Sequence, residues 1–244
     1  MSTLIDRSSM IERMKSALRL NPAETAVLTI DCQRGNLEPA IASLPVPESE
    51  CNRVIAGTNR LLGLARDAGV AIVHATTVWE APLQANHPFE RAMLELQESF
   101  TPDRESNFAH HKSPGSIGGQ FVPGLDVQRA DLIVDSKRTF DSFHGTPLEQ
   151  LLRAMNKDTL LVAGCNTNTC VLSTTFGAYN RGFRVVIVEE CVASAYGNDL
   201  HAFALANIQR RLGWVLTLGE VAEKLAGVPA PNQYEFDPGR IARK

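Results

Sequence analysis

The chain has 244 residues, which suits one large α/β domain or two small ones and suffices to bury a full core. Hydrophobic residues make up 44% and charged residues 21%, as in ordinary globular proteins, and the net charge of −3 without a basic stripe argues against a nucleic-acid partner. No apolar run approaches the roughly 20 residues of a membrane helix, and residues 1–20 do not resemble a signal peptide.

The cysteines are odd in number, five in all, and they lack paired spacing. This usage is typical of a reducing compartment rather than of a disulfide framework. We therefore expect a cytoplasmic protein with no membrane partner.

Three elements are predicted before residue 78. Residues 26–31 form an apolar, β-branched run typical of a buried strand. After a proline-rich loop, a helix begins near Glu48, presents apolar side chains at helical spacing and ends at Gly69. Residues 70–75 form the second predicted strand.

Residues 78–129 interrupt this alternation. They contain several closely spaced Pro and Gly residues, and one helix is predicted near residues 88–97. Two interpretations stay open, a long decorated connection or a lid or oligomer contact, because long loops in compact domains are often functional.

Four strands and two helices are predicted in the remainder of the chain. The strands occupy residues 132–134, 159–163, 184–188 and 214–216. One helix follows the capping-box sequence that begins at Thr146, and another starts near Thr169 and ends at Gly182. Such alternation of strands and helices predicts an α/β fold, a parallel sheet with helices on both faces.

Reactive side chains follow three of the predicted strands. Asp31 ends the first strand, Lys137 follows the third, and Cys170 begins the helix after the fourth. Ligands of open parallel sheets bind at the carboxyl ends of the strands. The topology therefore brings an acid, an amine and a thiol to one rim.

Cys170 is the predicted nucleophile. Its place at a helix N-terminus, near a lysine ammonium, favours the thiolate, so we expect a lowered thiol pKa. Asp31 can accept the thiol proton and later deliver it to a leaving amine, while backbone N–H groups of residues 165–170 can form an oxyanion hole. The alternative for a cysteine is a small buried apolar side chain, the interpretation we give to the other four.

Asp31 and Lys137 also have structural alternatives. Asp31 can simply cap the turn after its strand, and Lys137 can be a solvated charge beside Arg138. The three side chains together are harder to explain in this way than any of them alone.

At this point the chain resembles a known family, the isochorismatase-like cysteine hydrolases. These carry an Asp after strand one, a Lys after strand three, and a Gly-x-x-Thr-x-x-Cys-Val turn after strand four. The corresponding stretches read LTIDCQ at 28–33, KRTFDSFHGT at 137–146 and GCNTNTCV at 164–171. The resemblance runs from about residue 25 to residue 218, except for the middle segment.

The resemblance implies a six-stranded parallel sheet of Rossmann type and a catalytic triad of Asp31, Lys137 and Cys170. It also implies a non-proline cis peptide bond before Asn166, and oxyanion donors at the N–H groups of Asn166 and Cys170. We expect a single domain over residues 1–244 with a loop-rich insertion at about 78–129. A homo-oligomer, a dimer or tetramer, is expected mainly from the family.

Two departures from the family bear on the substrate. Nicotinamidases of this family carry an Asp-x-His…His metal motif after strand two, which residues 74–80 lack, so His74 and His87 are interpreted as structural and we expect no metal and no cofactor. An aromatic residue that the family often has near position 36 is Asn36 here, with Arg34 before it.

These residues lead us to expect a metal-independent hydrolase that cleaves a C–N bond of a small polar amide, ureide or carbamoyl compound. Arg34, Asn36, Phe143 and His144 are the candidate substrate-binding residues, and Trp79 is either a pocket wall or core. Three alternatives stay open: isochorismatase-type vinyl-ether hydrolysis, whose enzymes lack the cysteine; a catalytically silent scaffold; and a Cys-His hydrolase that uses His144.

Overall fold

The computed structural model describes residues 5–42, 45–80, 87–89, 91–92 and 112–227. Within them, six parallel strands form a sheet in the order β3-β2-β1-β4-β5-β6. The strands are β1 (Thr25–Ile30), β2 (Ala71–Thr77), β3 (Leu132–Lys137), β4 (Thr159–Cys165), β5 (Arg184–Ala193) and β6 (Trp214–Leu216). The predicted parallel α/β fold is confirmed.

Several strands extend further toward their carboxyl ends than their apolar runs indicate. β3 continues to Lys137, β4 to Cys165 and β5 to Ala193. Ladder hydrogen bonds do not depend on the side chain, so a strand continues through polar residues while its neighbour pairs with it. The extension of β3 places Lys137 on the sheet itself.

Seven α-helices accompany the strands in the described part of the chain. They are α1 (Ser8–Ala17), α2 (Arg34–Leu37), α3 (Glu48–Asp67), α4 (Leu148–Ala154), α5 (Leu172–Asn180), α6 (Asn198–Asn207) and α7 (Leu218–Ala226). The predictions of α3, α4 and α5 are confirmed, whereas α1, α2, α6 and α7 were not predicted. None of the described helices combines the length and apolarity needed to cross a bilayer.

Each face of the sheet is covered by its own apolar cluster. On one face, Leu28 and Ile30 of β1 pack in a cluster with Leu148 and Leu152 of α4. On the other face, the cluster contains Val27 of β1, several residues of α3, and Val221 of α7. Burial of such side chains stabilises a fold by about 1.5–3 kcal/mol each, so the sheet is held from both sides.

The end of the predicted insertion packs along the rim of the sheet. Trp79 donates its N–H to the carbonyl of Lys112 at 3.0 Å, and Val122 donates to the carbonyl of Cys32 at 3.1 Å. Most of the helix predicted near residues 88–97 lies outside the described residues. The insertion, and the single domain over residues 1–244, stay predictions.

Candidate active site

Four neighbouring strands bring polar side chains to one end of the sheet. Lys137 ends β3, Thr77 ends β2, Asp31 follows β1, and Cys165 ends β4. β1 lies between β2 and β4, where the strand order reverses. Open parallel sheets bind ligands at such a point, because the loops diverge there and leave a crevice.

Asp31, Lys137 and Cys170 meet in this crevice, as the sequence predicts. The Lys137 ammonium donates to Asp31 Oδ2 at 2.7 Å and lies 3.4 Å from the Cys170 sulfur. The side chains of Asp31 and Lys137 are fully buried. The three groups that the sequence places far apart therefore form one hydrogen-bonded cluster, shielded from water.

Thr77 belongs to the same cluster and was not predicted. Its hydroxyl accepts a hydrogen bond from the Lys137 ammonium at 2.6 Å and donates one to Asp31 Oδ1 at 2.8 Å. Both Asp31 carboxylate oxygens are thus engaged by donors. The sequence offered one indication of its role: Thr77 ends β2, and β2 pairs with β1, the strand that leads to Asp31.

The backbone at Asp31 is held in a left-handed conformation, with φ of 54°. The Asn36 side chain donates to the Asp31 carbonyl at 2.7 Å, and Gln33 donates its N–H to the same carbonyl at 2.7 Å. The Gln33 side chain also hydrogen-bonds to the backbone of Thr77 and to the Gly119 carbonyl. Asn36, a predicted substrate-binding residue, is therefore engaged in holding the carboxylate-bearing turn.

The nucleophile lies in a π-helical turn, Thr167–Val171, directly before α5. The Cys165–Asn166 peptide bond is cis, as the family resemblance implies. The Asn166 side chain accepts the N–H of Ala195 at 2.9 Å, which fastens this turn to the segment after β5. The Asn166 and Cys170 N–H groups remain proposed oxyanion donors.

The ionisation states of Asp31 and Lys137 are set by their contact. Burial alone would raise the pKa of Asp31, but the ammonium groups of Lys137 and Lys112 outweigh it and lower the pKa below the ordinary 3.8. Burial alone would lower the pKa of Lys137, but the Asp31 carboxylate outweighs it and the pKa is raised above 10.5. The resting site therefore contains a carboxylate and an ammonium at neutral pH.

The Cys170 thiol differs from the sequence-based expectation of a lowered pKa. Burial and the adjacent Asp31 carboxylate raise its pKa to about 11, against the lowering effect of Lys137 and Lys112. Desolvation disfavours the thiolate more strongly than the ammonium groups favour it. At rest, Cys170 is therefore a neutral thiol beside the ionised Asp31 carboxylate.

Lys112 is a second buried lysine at the site and was not predicted. It is 6% exposed, and its backbone has a left-handed φ of 53°. Burial lowers its pKa, while Asp31 and Cys170 act in the opposite direction. Its position in an irregular segment, outside any strand or helix pattern, left it without a signal in the sequence.

Similarity to known proteins agrees with this geometry. A family model described as the isochorismatase domain matches residues 25–220. The chain belongs to the isochorismatase family. Ureidoacrylate amidohydrolase of Methylobacterium radiotolerans is 28% identical over 218 residues, which cover 87% of this chain and 83% of that one.

Two further proteins resemble this family member. Maleamate amidohydrolase of Pseudomonas putida is 28% identical over 203 residues, which cover 82% of this chain and 86% of the relative. The crystal structure of a cysteine hydrolase from Pseudomonas syringae pv. phaseolicola has a TM-score of 0.72 and 23% identity, and the match covers 85% of this chain and 95% of that one. This structure shares the isochorismatase-like fold.

The other three predicted substrate-binding residues of this isochorismatase-family chain are Arg34, Phe143 and His144, and the contacts described for them are with residues other than Cys170. Arg34 forms a two-point ion pair with Glu38, at 2.6 and 3.0 Å. Phe143 is buried and packs against Phe183, with ring centroids 5.6 Å apart. His144 is exposed, and its backbone N–H donates to the Asp141 carbonyl. The described contacts do not bring Arg34 or His144 to Cys170.

His74 has both ring nitrogens engaged by protein groups. Nδ1 is hydrogen-bonded with the Thr29 hydroxyl at 2.7 Å, and Nε2 with Asp131 at 3.2 Å. Burial lowers the pKa of His74 despite the nearby Asp131. Within the described ranges, no group of three or more His, Cys, Asp or Glu side chains is arranged to hold a metal ion.

Proposed function

We propose that the chain is a metal-independent cysteine hydrolase that cleaves the C–N bond of a small polar amide, ureide or carbamoyl compound through a thioester. The observation that carries this proposal is the position of one buried ammonium, that of Lys137, which lies 2.7 Å from the Asp31 carboxylate and 3.4 Å from the Cys170 sulfur. Covalent acyl transfer needs a nucleophile and a base close to each other, and here an ammonium group contacts both candidate residues.

Formation of the thioester begins from the neutral thiol. The Cys170 sulfur attacks the substrate carbonyl carbon while its proton passes to Asp31. As the C–S bond forms and the proton reaches Asp31, the negative charge moves from the carboxylate to the carbonyl oxygen, so the Asp31 carboxylate and a free thiolate are not buried side by side. The N–H groups of Asn166 and Cys170 stabilise the oxyanion of the tetrahedral intermediate.

Collapse of that intermediate breaks the C–N bond. Asp31 returns the proton to the departing nitrogen, so that ammonia or an amine leaves rather than its anion. A water molecule then attacks the thioester and gives its proton to Asp31. Breakage of the C–S bond releases the acid, and Asp31 returns the proton to the departing sulfur, which restores the neutral thiol and the carboxylate. One carboxylate thus serves twice as base and twice as acid.

The substrate class is supported by the names of the two relatives. One acts on ureidoacrylate and the other on maleamate. Both compounds are small, and in each a carbonyl is bonded to nitrogen. A match over more than four-fifths of each relative makes the same bond type the best expectation for this chain.

Two of the alternatives are weakened by particular residues. The vinyl-ether hydrolases that the family also contains lack the cysteine, whereas Cys170 is here in contact with Lys137. A Cys-His mechanism would need His144 at the thiol, but His144 is exposed and no described contact joins the two side chains. The silent-scaffold alternative is decided by measurement.

The test combines ammonia release with detection of the covalent intermediate. A panel of small amides and ureides is assayed with wild type and Cys170→Ala, and the wild-type acyl-enzyme is sought by mass spectrometry. We expect turnover of at least one compound and its loss in Cys170→Ala. Cys51→Ala, at a buried cysteine of α3, is the matched control. Activity of Cys170→Ala within tenfold of wild type would contradict the proposal.

A further inference from the structure

Lys112 is fixed at the edge of the active site by its backbone. Its carbonyl accepts the N–H of Trp79, two residues beyond the Thr77 that ends β2. The backbone nitrogen of Lys112 lies close to Gly118: a Cβ added to Gly118 would be 3.4 Å from it. With the residue 6% exposed, the long side chain is enclosed rather than extended into solvent.

The charges that act on the Lys112 ammonium are those of the catalytic cluster. Asp31, Cys170 and Lys137 are the three largest electrostatic influences on it. The buried ammonium is therefore within electrostatic reach of Cys170, and the Lys112 backbone is hydrogen-bonded to Trp79, two residues beyond the end of β2. Lys112 thus supplies a second ammonium near Cys170, in addition to that of Lys137.

The described residues leave this second ammonium without an anion of its own. The Asp31 carboxylate is in direct contact with Lys137 and Thr77, and no carboxylate of a described residue lies within 4.0 Å of the Lys112 ammonium. The thiol is neutral at rest. Burial of an ammonium without an opposite charge is costly, since it loses its hydration and gains no ion pair.

Two other cations in the described part of this rim have carboxylate partners. Arg34 is paired with Glu38, and Arg138 with Glu80. Among these described cations, Lys112 is therefore the one without a carboxylate partner, so a ligand can compensate its charge.

We propose that Lys112 binds a carboxylate of the substrate, and that the enzyme selects small amides or ureides that bear a carboxylate over their neutral counterparts. This inference rests on the proposed function. A substrate carboxylate supplies the missing charge, while Lys137, whose ammonium lies 3.4 Å from the sulfur, keeps its contacts with Asp31 and Cys170. Lysine suits this task because it acts as a compact point charge with three donors.

The first experiment compares substrates that differ only in charge. Maleamate and N-carbamoylglycine are each compared with their methyl esters, which keep the scissile bond and lose the negative charge. Wild type is expected to prefer the carboxylates. In Lys112→Met the ratio of kcat/KM for carboxylate over ester should fall about 10- to 100-fold, the range for loss of a hydrogen bond to a charged group, and mainly through KM.

Arg34→Ala is the matched comparison, because Arg34 is a cation three residues beyond Asp31 that already has a carboxylate partner, Glu38. The charge preference should persist in Arg34→Ala, and Lys112→Arg should retain most of it. Thermal unfolding midpoints identify any variant that no longer folds, and Lys112→Gln replaces Lys112→Met in that case. An equal loss on carboxylates and esters, or a preference that follows Arg34 instead, would overturn the inference.

The second experiment measures binding without turnover. Calorimetry with the same two carboxylates is carried out on Cys170→Ala and on Cys170→Ala combined with Lys112→Met. Affinity should fall at least tenfold in the double variant. Equal affinity of the two proteins, or no binding of either carboxylate to Cys170→Ala, would refute a role for Lys112. Failure of wild type to cleave any amide while this difference persists would contradict the proposed reaction and leave the anion site standing.

Discussion

At the scale of single residues, the site combines an ionised base with a neutral nucleophile. Asp31 keeps its charge because Lys137 contacts it directly, and burial together with that charge raises the pKa of the Cys170 thiol and keeps it protonated. The proton therefore has a short path from sulfur to carboxylate when a substrate carbonyl arrives. The sequence-based picture of a preformed thiolate misses this because it omits desolvation.

Asp31→Asn should affect turnover and thiol reactivity in opposite directions. Loss of the base should lower kcat/KM by about 10²–10⁴-fold. Since the carboxylate raises the thiol pKa, its removal should shift that pKa below about 11, and alkylation of Cys170 by iodoacetamide should reach half its maximal rate at lower pH.

The measurement is the alkylation rate of Cys170 as a function of pH, followed by peptide mass spectrometry. In wild type the rate should still be rising at pH 10, because the thiol ionises only near pH 11. A midpoint near neutrality in wild type, or one that moves upward in Asp31→Asn, would show that the thiol does not rest in its neutral form.

Thr77→Val should slow the reaction by removing the hydroxyl that lies between Lys137 and Asp31. Hydrogen bonds to charged groups contribute about 1.5–3 kcal/mol, so kcat should fall roughly tenfold or more. Thr77→Ser keeps the hydroxyl and is expected to retain most of the activity. Steady-state rates that are equal for wild type and Thr77→Val would exclude a positioning role for Thr77.

At the scale of elements, the site depends on the close approach of β1 and β4. Gly164 has a φ of 119°, and a Cβ there would lie 1.9 Å from the carbonyl oxygen of Ile30. Asp31 follows Ile30, and Cys165 follows Gly164, so this contact sets the distance between the base and the nucleophile turn. Only glycine meets both the backbone and the steric requirement.

Gly164→Ala should therefore destabilise the fold by at least about 3 kcal/mol, from the steric overlap and the disfavoured backbone conformation together. Gly63→Ala is the matched control, since Gly63 lies within α3 and has no atom within 4 Å of an added Cβ. That change should stabilise the protein by roughly 0.5–1 kcal/mol, as expected for Gly to Ala within a helix. Urea unfolding of the three proteins provides the comparison, and equal midpoints for Gly164→Ala and wild type would contradict it.

At the scale of the whole molecule, the proposed reaction uses the protein's own charges and no metal ion. In this proposal, Lys137 and the backbone N–H groups of Asn166 and Cys170 provide the positive potential that a metal ion supplies in other hydrolases. We therefore predict that dialysis against EDTA leaves kcat/KM unchanged. Loss of activity that zinc or manganese restores would show that the region around His74 and His87 has another role.

The chain is also predicted to form a homo-oligomer. Aromatic side chains on two helices are partly exposed in the single chain, among them Phe176 and Tyr179 of α5 and Phe203 of α6. Burial of such surface against a second copy would be favourable. Light scattering at micromolar concentration should give a multiple of the chain mass, and a monomer mass would contradict the prediction.

The sequence by itself determined the fold class, the strands and three members of the site. The strands are readable because buried parallel strands need continuous apolar runs, and Asp31, Lys137 and Cys170 stand just beyond those runs or at the following turn. The cis bond before Asn166 was readable only through the family motif. All of these features depend on residues that are neighbours in the chain.

Only the tertiary structure decided what surrounds those three side chains. Thr77 and Lys112 reach the site through strand pairing and an irregular segment, and neither carries a local pattern. The sequence also did not predict the ion pair of Arg34 with Glu38 or the raised pKa of Cys170. Contacts, desolvation and electrostatic interaction depend on distances between residues far apart in the chain, and only folding sets those distances.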